Sequence, residues 1–331
     1  MKNILITGGT GSFGKMFVKE VLEKENPSQI SIFSRDELKQ FEMKNYFNSE
    51  KLKFYIGDVR DRARLADCVS GVDTLIHAAA LKQVPATEYN PSECVKTNIN
   101  GAENVIDASI RNKVSKVIAL STDKAGNPIN LYGASKLVSD KLFISANNRD
   151  NNKETKFSVV RYGNVVGSRG SIVPYFRNLI ESGSKTLPIT HKDMTRFWIS
   201  LNQGVEFVLK SLNRMSGGET FIPKIPSVLI TDLADAMGPN LKKHIIGIRP
   251  GEKIHETMCP IENAHLTLDF SDHYVIKPSI NLINHNNNYS VNNIGEESVP
   301  VGNNFEYSSG TNEYFLNIEE ILEFNKNLKM T

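Results

Sequence analysis

Two residues near the middle of the chain have the types and the spacing of an acid–base pair for alcohol oxidation. Tyr132 and Lys136 are four positions apart, so on a helix they share one face. A phenol has a pKa of about 10 and is a poor base at neutral pH, but an adjacent ammonium favours the phenolate. With ten tyrosines in the chain, the Y-x-x-x-K spacing is also expected by chance. The position of the pair must therefore decide its meaning.

That position follows from the residues just before the pair. An apolar run at 116–121 is predicted as the fifth strand of a sheet, and Thr122, Asp123 and Lys124 come directly after it. Ligands of doubly wound folds bind at the carboxyl ends of the strands. We therefore predict that all five residues are catalytic. The alternative is an exposed Tyr–Lys pair beside a solvated Asp-Lys turn.

A glycine-rich segment follows the first predicted strand and opens the next helix. Its sequence is Thr-Gly-Gly-Thr-Gly-Ser-Phe-Gly, from residue 7 to residue 14. Missing side chains let the backbone turn tightly and approach a pyrophosphate, which then lies at the positive N-terminus of the helix. The segment predicts a dinucleotide site formed by Gly8, Thr10, Gly11, Ser12, Phe13 and Gly14.

The end of the second predicted strand indicates which dinucleotide is bound. An NAD site usually has an acid there for the ribose 2′-hydroxyl, whereas this chain has Ser34 and Arg35. An arginine suits a 2′-phosphate, so we predict NADP. The alternative is that Arg35 is a surface residue beside Asp36 and Glu37. Further cofactor contacts are expected from Asp58, Val59, Ala78, Ala79, Ala80 and Val165, with Tyr132 and Lys136 facing the cofactor.

The elements that position these residues alternate along the first part of the chain. Strands are predicted at 4–7, 30–34, 52–57, 74–78, 116–121 and 158–162, and helices begin near Ser12, Asp36, Asp61, Pro91 and Ile129. This alternation is typical of a parallel sheet with helices on both faces. We predict an α/β fold, with a Rossmann-type doubly wound parallel sheet and a smaller C-terminal substrate-binding lobe.

The alternation fades after about residue 185, which suggests two domains. We expect an NADP-binding Rossmann domain at 1–185 and a mixed α/β substrate-binding lobe at 186–331, with part of 160–185 also lining the substrate site. The stretch 281–310 is crowded with Asn, Ser and Gly. We expect it to be irregular or mobile rather than part of the core.

The bulk composition argues against several classes of protein. A formal net charge of +2 is too small for a typical nucleic-acid binder. Cys68, Cys94 and Cys259 are odd in number and lack the spacing of metal ligands, so we expect reduced thiols and no metal. The apolar run at 4–6 is far shorter than the core of a signal peptide. We therefore expect a cytoplasmic protein that does not bind membranes.

The chain resembles a family of extended short-chain dehydrogenases, the inverting UDP-N-acetylglucosamine 4,6-dehydratases, whose reaction begins pseudaminic acid synthesis. The glycine loop, the Thr-Asp-Lys and Y-x-x-x-K segments, and the runs at 161–171 and 249–253 carry the resemblance. It covers residues 1 to about 275, and also 305–309. The Asp-Lys pair after Thr122 distinguishes the inverting from the retaining sugar-nucleotide dehydratases, because the retaining enzymes have Asp-Glu there.

The resemblance implies an NADP-dependent hydro-lyase that acts on UDP-N-acetylglucosamine. Hydride leaves C4 of the sugar while Tyr132 takes the hydroxyl proton and Thr122 orients the oxygen. The new ketone acidifies the C5 proton, which Lys124 removes as a base, while Asp123 protonates the departing C6 hydroxyl. These roles require a lowered pKa for Lys124 and a raised pKa for Asp123.

The resemblance also implies a set of substrate-binding residues. The planar fork of arginine matches a pyrophosphate, a lysine past the fourth strand lies near the sugar, and an acid can accept from ribose hydroxyls. A homo-oligomer is implied as well, with a hexamer as its size. The expected substrate-binding residues are Lys82, Asn164, Arg169, Gly170, Ser171, Arg196, Arg249 and Glu252.

Two other functions remain open. A sugar-nucleotide 4-epimerase or a retaining dehydratase would share every feature except the Asp-Lys pair. A regulator that senses NADP without turnover would usually lack the Tyr–Lys pair, which is present here.

Overall fold

A computed structural model of the chain describes residues 1–149, 154–167, 171–280 and 288–326. Parallel strands form its centre, and each strand predicted from the sequence is present with its ends shifted by one or two residues. The first six strands are β1 (Asn3–Thr7), β2 (Gln29–Ser34), β3 (Leu52–Ile56), β4 (Thr74–His77), β5 (Lys116–Leu120) and β6 (Lys156–Val160).

The helices between these strands begin close to the predicted positions. Asp36 and Asp61 are N-caps, and each accepts a hydrogen bond of 3.0 Å from the main-chain N–H three residues later. The last helix is capped by Asn130 and not by Ile129, because only the amide side chain offers an acceptor, at 2.8 Å. The helices are α1 (Ser12–Lys24), α2 (Glu37–Phe47), α3 (Arg62–Cys68), α4 (Val84–Tyr89), α5 (Pro91–Val95), α6 (Gly101–Arg111) and α7 (Leu131–Ser145).

The rest of the chain forms shorter elements. Its strands are β7 (Asn164–Val165), β8 (Thr186–Ile189), β9 (Thr195–Ile199), β10 (Thr220–Pro223), β11 (Ser227–Leu229), β12 (Lys242–Ile245), β13 (Thr257–Cys259), β14 (Thr267–Asp269), β15 (His273–Ile276), β16 (Val299–Pro300) and β17 (Tyr307–Ser308). Its helices are α8 (Ile172–Glu181), α9 (Leu201–Arg214), α10 (Ile230–Met237) and α11 (Ile318–Lys326).

Within the described residues, the central sheet has ten strands in the order β16-β14-β15-β10-β6-β5-β4-β1-β2-β3. The strands from β3 to β10 pair in parallel, whereas β15, β14 and β16 are antiparallel. The predicted Rossmann-type fold is confirmed. The sheet continues into the chain after residue 185, since β10, β14, β15 and β16 come from it. The division of roles between 1–185 and 186–331 stays a prediction.

Alternate residues of each central strand point to opposite faces of the sheet. Ile4 and Ile6 of β1 belong to one buried cluster, whereas Leu5 between them belongs to a second. A third cluster contains Trp198 and Phe176. The sheet is therefore covered on both faces, and the later part of the chain adds a core of its own.

The end of the Asn-rich stretch packs into the core. Tyr307 is buried, and its hydroxyl donates to the Ile225 carbonyl and accepts from the Ile225 N–H, both at 2.9 Å. The expectation that 281–310 lies outside the core is therefore wrong for this part, because an aromatic residue anchors it. Residues 281–287 lie outside the described part of the chain.

Three further features concern membranes, metals and thiols. In the described ranges, no helix is long and apolar enough to cross a membrane. No group of three His, Cys, Asp or Glu residues in those ranges is arranged to hold a metal ion. Cys68, Cys94 and Cys259 are buried free thiols.

Candidate active site

A cavity of about 1050 Å³ opens at the carboxyl ends of strands β1 to β5. Its opposite wall comes from the later chain and includes Thr190, Met194 and Trp198. Ligands of doubly wound folds bind at this edge, and the volume leaves room for a dinucleotide and a second ligand. The predicted residues that line it are Gly8, Thr10, Gly11, Ser12, Phe13, Ser34, Arg35, Asp58, Val59, Ala78, Ala79, Ala80, Lys82, Thr122, Lys124, Tyr132, Lys136, Asn164, Val165, Ser171, Arg196, Arg249 and Glu252.

Four predicted residues are not among those that line the cavity. Gly14 packs behind the loop, where a side chain would overlap the Gly9 carbonyl. Asp123 is fully buried, next to Lys124. Arg169 and Gly170 lie outside the described residues.

The glycine loop lies against the loop that follows β4. Gly8 has a φ of +67°, and a Cβ added to it would be 2.9 Å from the Cα of Ala79. The loop can therefore follow this path only with glycine at position 8. The Ala79 N–H donates to the Thr7 hydroxyl at 3.3 Å, which ties the two loops together. Such a narrow, main-chain-lined wall fits the phosphates of a dinucleotide.

Charged residues of both signs form the rim of the cavity near the end of β2. The Arg35 side chain is 56% exposed, and its Nη1 is 3.6 Å from Oδ2 of Asp58. Arg60 also pairs with Asp58, at 2.6 Å. Lys39, which the sequence analysis did not single out, lines the same part of the cavity. The Arg35 guanidinium is therefore free enough to meet a phosphate at this rim.

Tyr132 and Lys136 share one face of α7, as predicted, and the Tyr132 hydroxyl shares a hydrogen bond with the Thr122 hydroxyl. Burial raises the pKa of Tyr132 to about 12, while the Lys124 ammonium and the Thr122 hydroxyl act to lower it. Burial also lowers the pKa of Lys136. The Lys124 ammonium thus favours the phenolate, but burial outweighs it.

Asp123 is buried and forms an ion pair with Lys124, which is half-buried and lines the cavity. The Lys124 Nζ donates to Oδ1 of Asp123 at 3.1 Å and to Oδ1 of Asn164 at 3.3 Å. A third acceptor is Oε1 of Glu256, also at 3.1 Å. Asn164, an expected substrate-binding residue, thus accepts a hydrogen bond from Lys124 in this structure.

The pKa shifts in this cluster match the expectation for Asp123 but not for Lys124. Burial raises the pKa of Asp123, and the charge of Glu256 raises it further, whereas the charge of Lys124 acts to lower it. Burial acts to lower the pKa of Lys124, but Asp123 and Glu256 together raise it above its ordinary value. The predicted fall for Lys124 is therefore wrong, because two carboxyl groups face its ammonium.

The expected substrate-binding residues differ in whether their side chains already have partners within the protein. The Nη1 of Arg196 already donates to the carbonyls of Thr195, at 2.7 Å, and Ile254, at 3.1 Å. Arg249 pairs with Glu252 at the rim of the cavity. The Ser171 hydroxyl is buried without a hydrogen-bond partner among the described residues. Among the residues just named, the Ser171 hydroxyl therefore lacks a partner, whereas Arg196 and Arg249 already have partners in the protein.

Two residues in and behind the site were missed. Glu256 lines the cavity beside Lys124. Asn98 lies in a single π-helical turn, and its side chain bonds both main-chain groups of Leu81 and, at 2.9 Å, the Ser135 hydroxyl. It thereby joins the loop after β4 to α7. Neither residue belongs to a recognisable local sequence pattern. Only the run at 249–253, a few residues earlier, indicated the region of Glu256.

Comparison with known proteins gives the family. The sequence matches the family model described as "Polysaccharide biosynthesis protein" over residues 4–278. This chain belongs to that family. It is 59% identical over 322 residues to the UDP-N-acetylglucosamine 4,6-dehydratase (inverting) of Campylobacter jejuni strain 81-176, across 97% of this chain and 96% of the relative. The resemblance found in the sequence is confirmed.

Other relatives show how widely this family shares its fold. The chain is 42% identical over 329 residues to a UDP-glucose 4-epimerase of Rickettsia canadensis, across 97% of this chain and 94% of that relative. The X-ray structure of Pen from Bacillus thuringiensis matches with a TM-score of 0.89 at 34% identity, over 100% of this chain and 98% of that one.

Proposed function

We propose that the chain is an NADP-dependent, inverting UDP-N-acetylglucosamine 4,6-dehydratase. The reaction oxidises C4 of the sugar, eliminates water across C5 and C6, and returns hydride to C6. Its product would be UDP-2-acetamido-2,6-dideoxy-β-L-arabino-hexos-4-ulose. The observation that carries the proposal is the Asp123–Lys124 pair, 3.1 Å apart, beside Tyr132. A retaining dehydratase would have a glutamate at position 124.

The glycine loop and the rim at Arg35 support NADP as the cofactor. The main chain of the loop, with Ala79 opposite, would hold the pyrophosphate, and Arg35 would meet the 2′-phosphate. When bound there, NADP would supply a positive charge and reversible hydride-transfer chemistry. Lys39 adds a second cation at the rim.

Tyr132 takes the proton of the C4 hydroxyl in the first step. Its pKa is raised to about 12, so it needs more positive charge nearby before it can act at neutral pH. Lys124 supplies part of that charge, and Thr122 fixes the hydroxyl through its hydrogen bond. Tyr132 is therefore the base in this step, and Lys124 also assists it.

The elimination needs one base and one acid, and a single proton transfer provides both. Moving a proton from the Lys124 Nζ to Asp123, across 3.1 Å, leaves a neutral amine and a carboxylic acid. The amine then takes the C5 proton, and the carboxylic acid protonates the C6 oxygen as water leaves. The raised pKa of Asp123 favours this transfer, whereas the raised pKa of Lys124 opposes it.

The direct test is to incubate the protein with UDP-N-acetylglucosamine and to identify the product by NMR. A 4-keto-6-deoxy sugar with the L configuration supports the proposal. A C4 epimer would favour the 4-epimerase instead, and tight NADP binding without turnover would favour a regulator.

We further propose that the protein acts in the cytoplasm as a homo-oligomer, with a hexamer as the size that the family resemblance implies. Its product would then enter pseudaminic acid synthesis and flagellin glycosylation. Light scattering of the purified protein measures the oligomer size.

A further inference from the structure

A carboxylate that the sequence analysis did not single out lies beside the Asp123–Lys124 pair. Oε1 of Glu256 is 3.1 Å from the Lys124 Nζ, and the Glu256 side chain is 3% exposed. Among the described residues, Oε2 of Glu256 has no hydrogen-bond partner, although it is buried. A buried carboxylate is costly unless it is well paired. The position of Glu256 therefore suggests a role beyond packing.

The end of the Asn-rich stretch fixes the main chain of Glu256. The Glu256 N–H donates to the Ser309 hydroxyl at 2.9 Å, and its carbonyl accepts from the Ser309 N–H at 2.8 Å. The Ser309 hydroxyl also shares a hydrogen bond of 2.8 Å with Thr195. The run at 305–309, which had no assigned role, thereby holds Glu256 against the lysine.

We propose that Glu256 is a positioning residue for the elimination step, which holds Lys124 next to Asp123 and whose negative charge sets the pH range in which the pair works. This inference rests on the function proposed above. The charge acts on both partners, because it favours the ammonium form of Lys124 and disfavours the carboxylate form of Asp123.

Besides the Asp123–Lys124 pair itself, the titratable groups around the cluster include two cations and a phenol. Arg196 approaches Oε1 of Glu256 through its Nε at 3.8 Å, Lys253 precedes it on the same loop, and Tyr132 faces Lys124 from α7. Burial would raise the pKa of Glu256, but Lys124 and Arg196 lower it, so it stays ionised. Burial and the charge of Glu256 raise the pKa of Asp123, which shifts that carboxyl group toward its acid form.

A merely structural role predicts a different result on substitution. Glutamine has nearly the shape of glutamate, and its carbonyl can still accept from Lys124. If Glu256 only fills space, Glu256→Gln should leave the pH dependence of the reaction unchanged. If its charge matters, the pKa values of Lys124 and Asp123 should both fall.

The experiment compares Glu256→Gln with Glu262→Gln, which removes the same charge at an exposed position. The initial rate of product formation from UDP-N-acetylglucosamine is measured against pH. For Glu256→Gln, both limbs of the profile should move to lower pH by about one unit. Glu262→Gln should reproduce the profile of the unaltered protein. A profile of Glu256→Gln that coincides with that of the unaltered protein would overturn the inference.

A second variant decides the question if Glu256→Gln does not fold. Glu256→Asp keeps the charge but shortens the side chain, so elimination should slow by about tenfold or more, while the pH profile stays in place. Formation of the reduced cofactor, measured by absorbance, should persist. Elimination at the full rate, or an equal loss of C4 oxidation and elimination, would refute the inference alone. An unaltered protein that does not convert the substrate would refute the proposed function and the inference together.

Discussion

The Nζ of Lys124 lies 3.1 Å from Oδ1 of Asp123, its neighbour in the chain; the Asp123 side chain is buried, and that of Lys124 is half-buried and lines the cavity. Asp123 starts a 3₁₀ turn that follows β5 after two intervening residues, and Lys124 is the next residue of that turn. Under the mechanism proposed above, a base and an acid are thereby held at hydrogen-bond distance from each other, where one proton transfer can prepare both for the elimination.

Lys124→Ala should abolish elimination and the exchange of the C5 hydrogen, because the base is removed, with a loss of roughly a hundredfold or more. C4 oxidation should persist, but at higher pH, since the Lys124 ammonium no longer lowers the pKa of Tyr132. NMR of the product formed in D₂O measures deuterium at C5 and the intramolecular transfer of the C4 hydrogen to C6.

The same measurement reports the stereochemistry. The unaltered protein should give an L-configured product with deuterium at C5. A D-configured product, or normal turnover by Lys124→Ala, would reject the inverting assignment and favour a retaining dehydratase.

Tyr132→Phe should bind cofactor and UDP-sugar normally but lose C4 oxidation by roughly a hundredfold or more, because only the group that accepts the proton is removed. Binding is measured by calorimetry, and oxidation by the absorbance of the reduced cofactor. Tyr175→Phe, an exposed tyrosine on α8, is the control for loss of a hydroxyl. If the Tyr132→Phe variant keeps most of its turnover, the base must be another residue.

The sequence was sufficient for the part of the fold that has local signals. The runs of β-branched residues predicted β1 to β6, and the short acids at Asp36 and Asp61 marked two helix starts. The residues that follow these strands could be predicted to meet at one edge, because parallel strands end together. Tyr132 and Lys124 were found in this way.

Glu256 could not be found in the same way, because contacts between distant segments place it. It precedes β13, which pairs with β17, and Ser309 just after β17 completes its hydrogen bonds. A pairing between two such short strands leaves no periodic pattern in the sequence. The raised pKa of Lys124 was missed for the same reason, since it depends on that second carboxyl group.

Arg35→Ala should narrow the preference for NADP over NAD by about tenfold or more, because the charge-assisted partner of the 2′-phosphate is lost. The two affinities are measured by calorimetry on the unaltered protein and on the variant. Arg111→Ala, at the end of α6 and away from the cavity, serves as the control for loss of an arginine. Equal affinities for both cofactors in the unaltered protein would contradict the assignment of Arg35.

Lys124→Glu should destabilise the fold more than Lys124→Met does, because it places a third carboxyl group between Asp123 and Glu256. Removing the cation from such a buried cluster costs about 3–5 kcal/mol at neutral pH, and the added charge increases the cost. In these variants the carboxyl groups have higher pKa values in the folded protein than in the unfolded protein, where the values lie near 4. The cost therefore vanishes below about pH 4 and grows as the pH rises. Urea unfolding at a series of pH values measures it. If the two variants are equally stable at neutral pH, Glu256 does not carry the charge that the positioning of Lys124 requires.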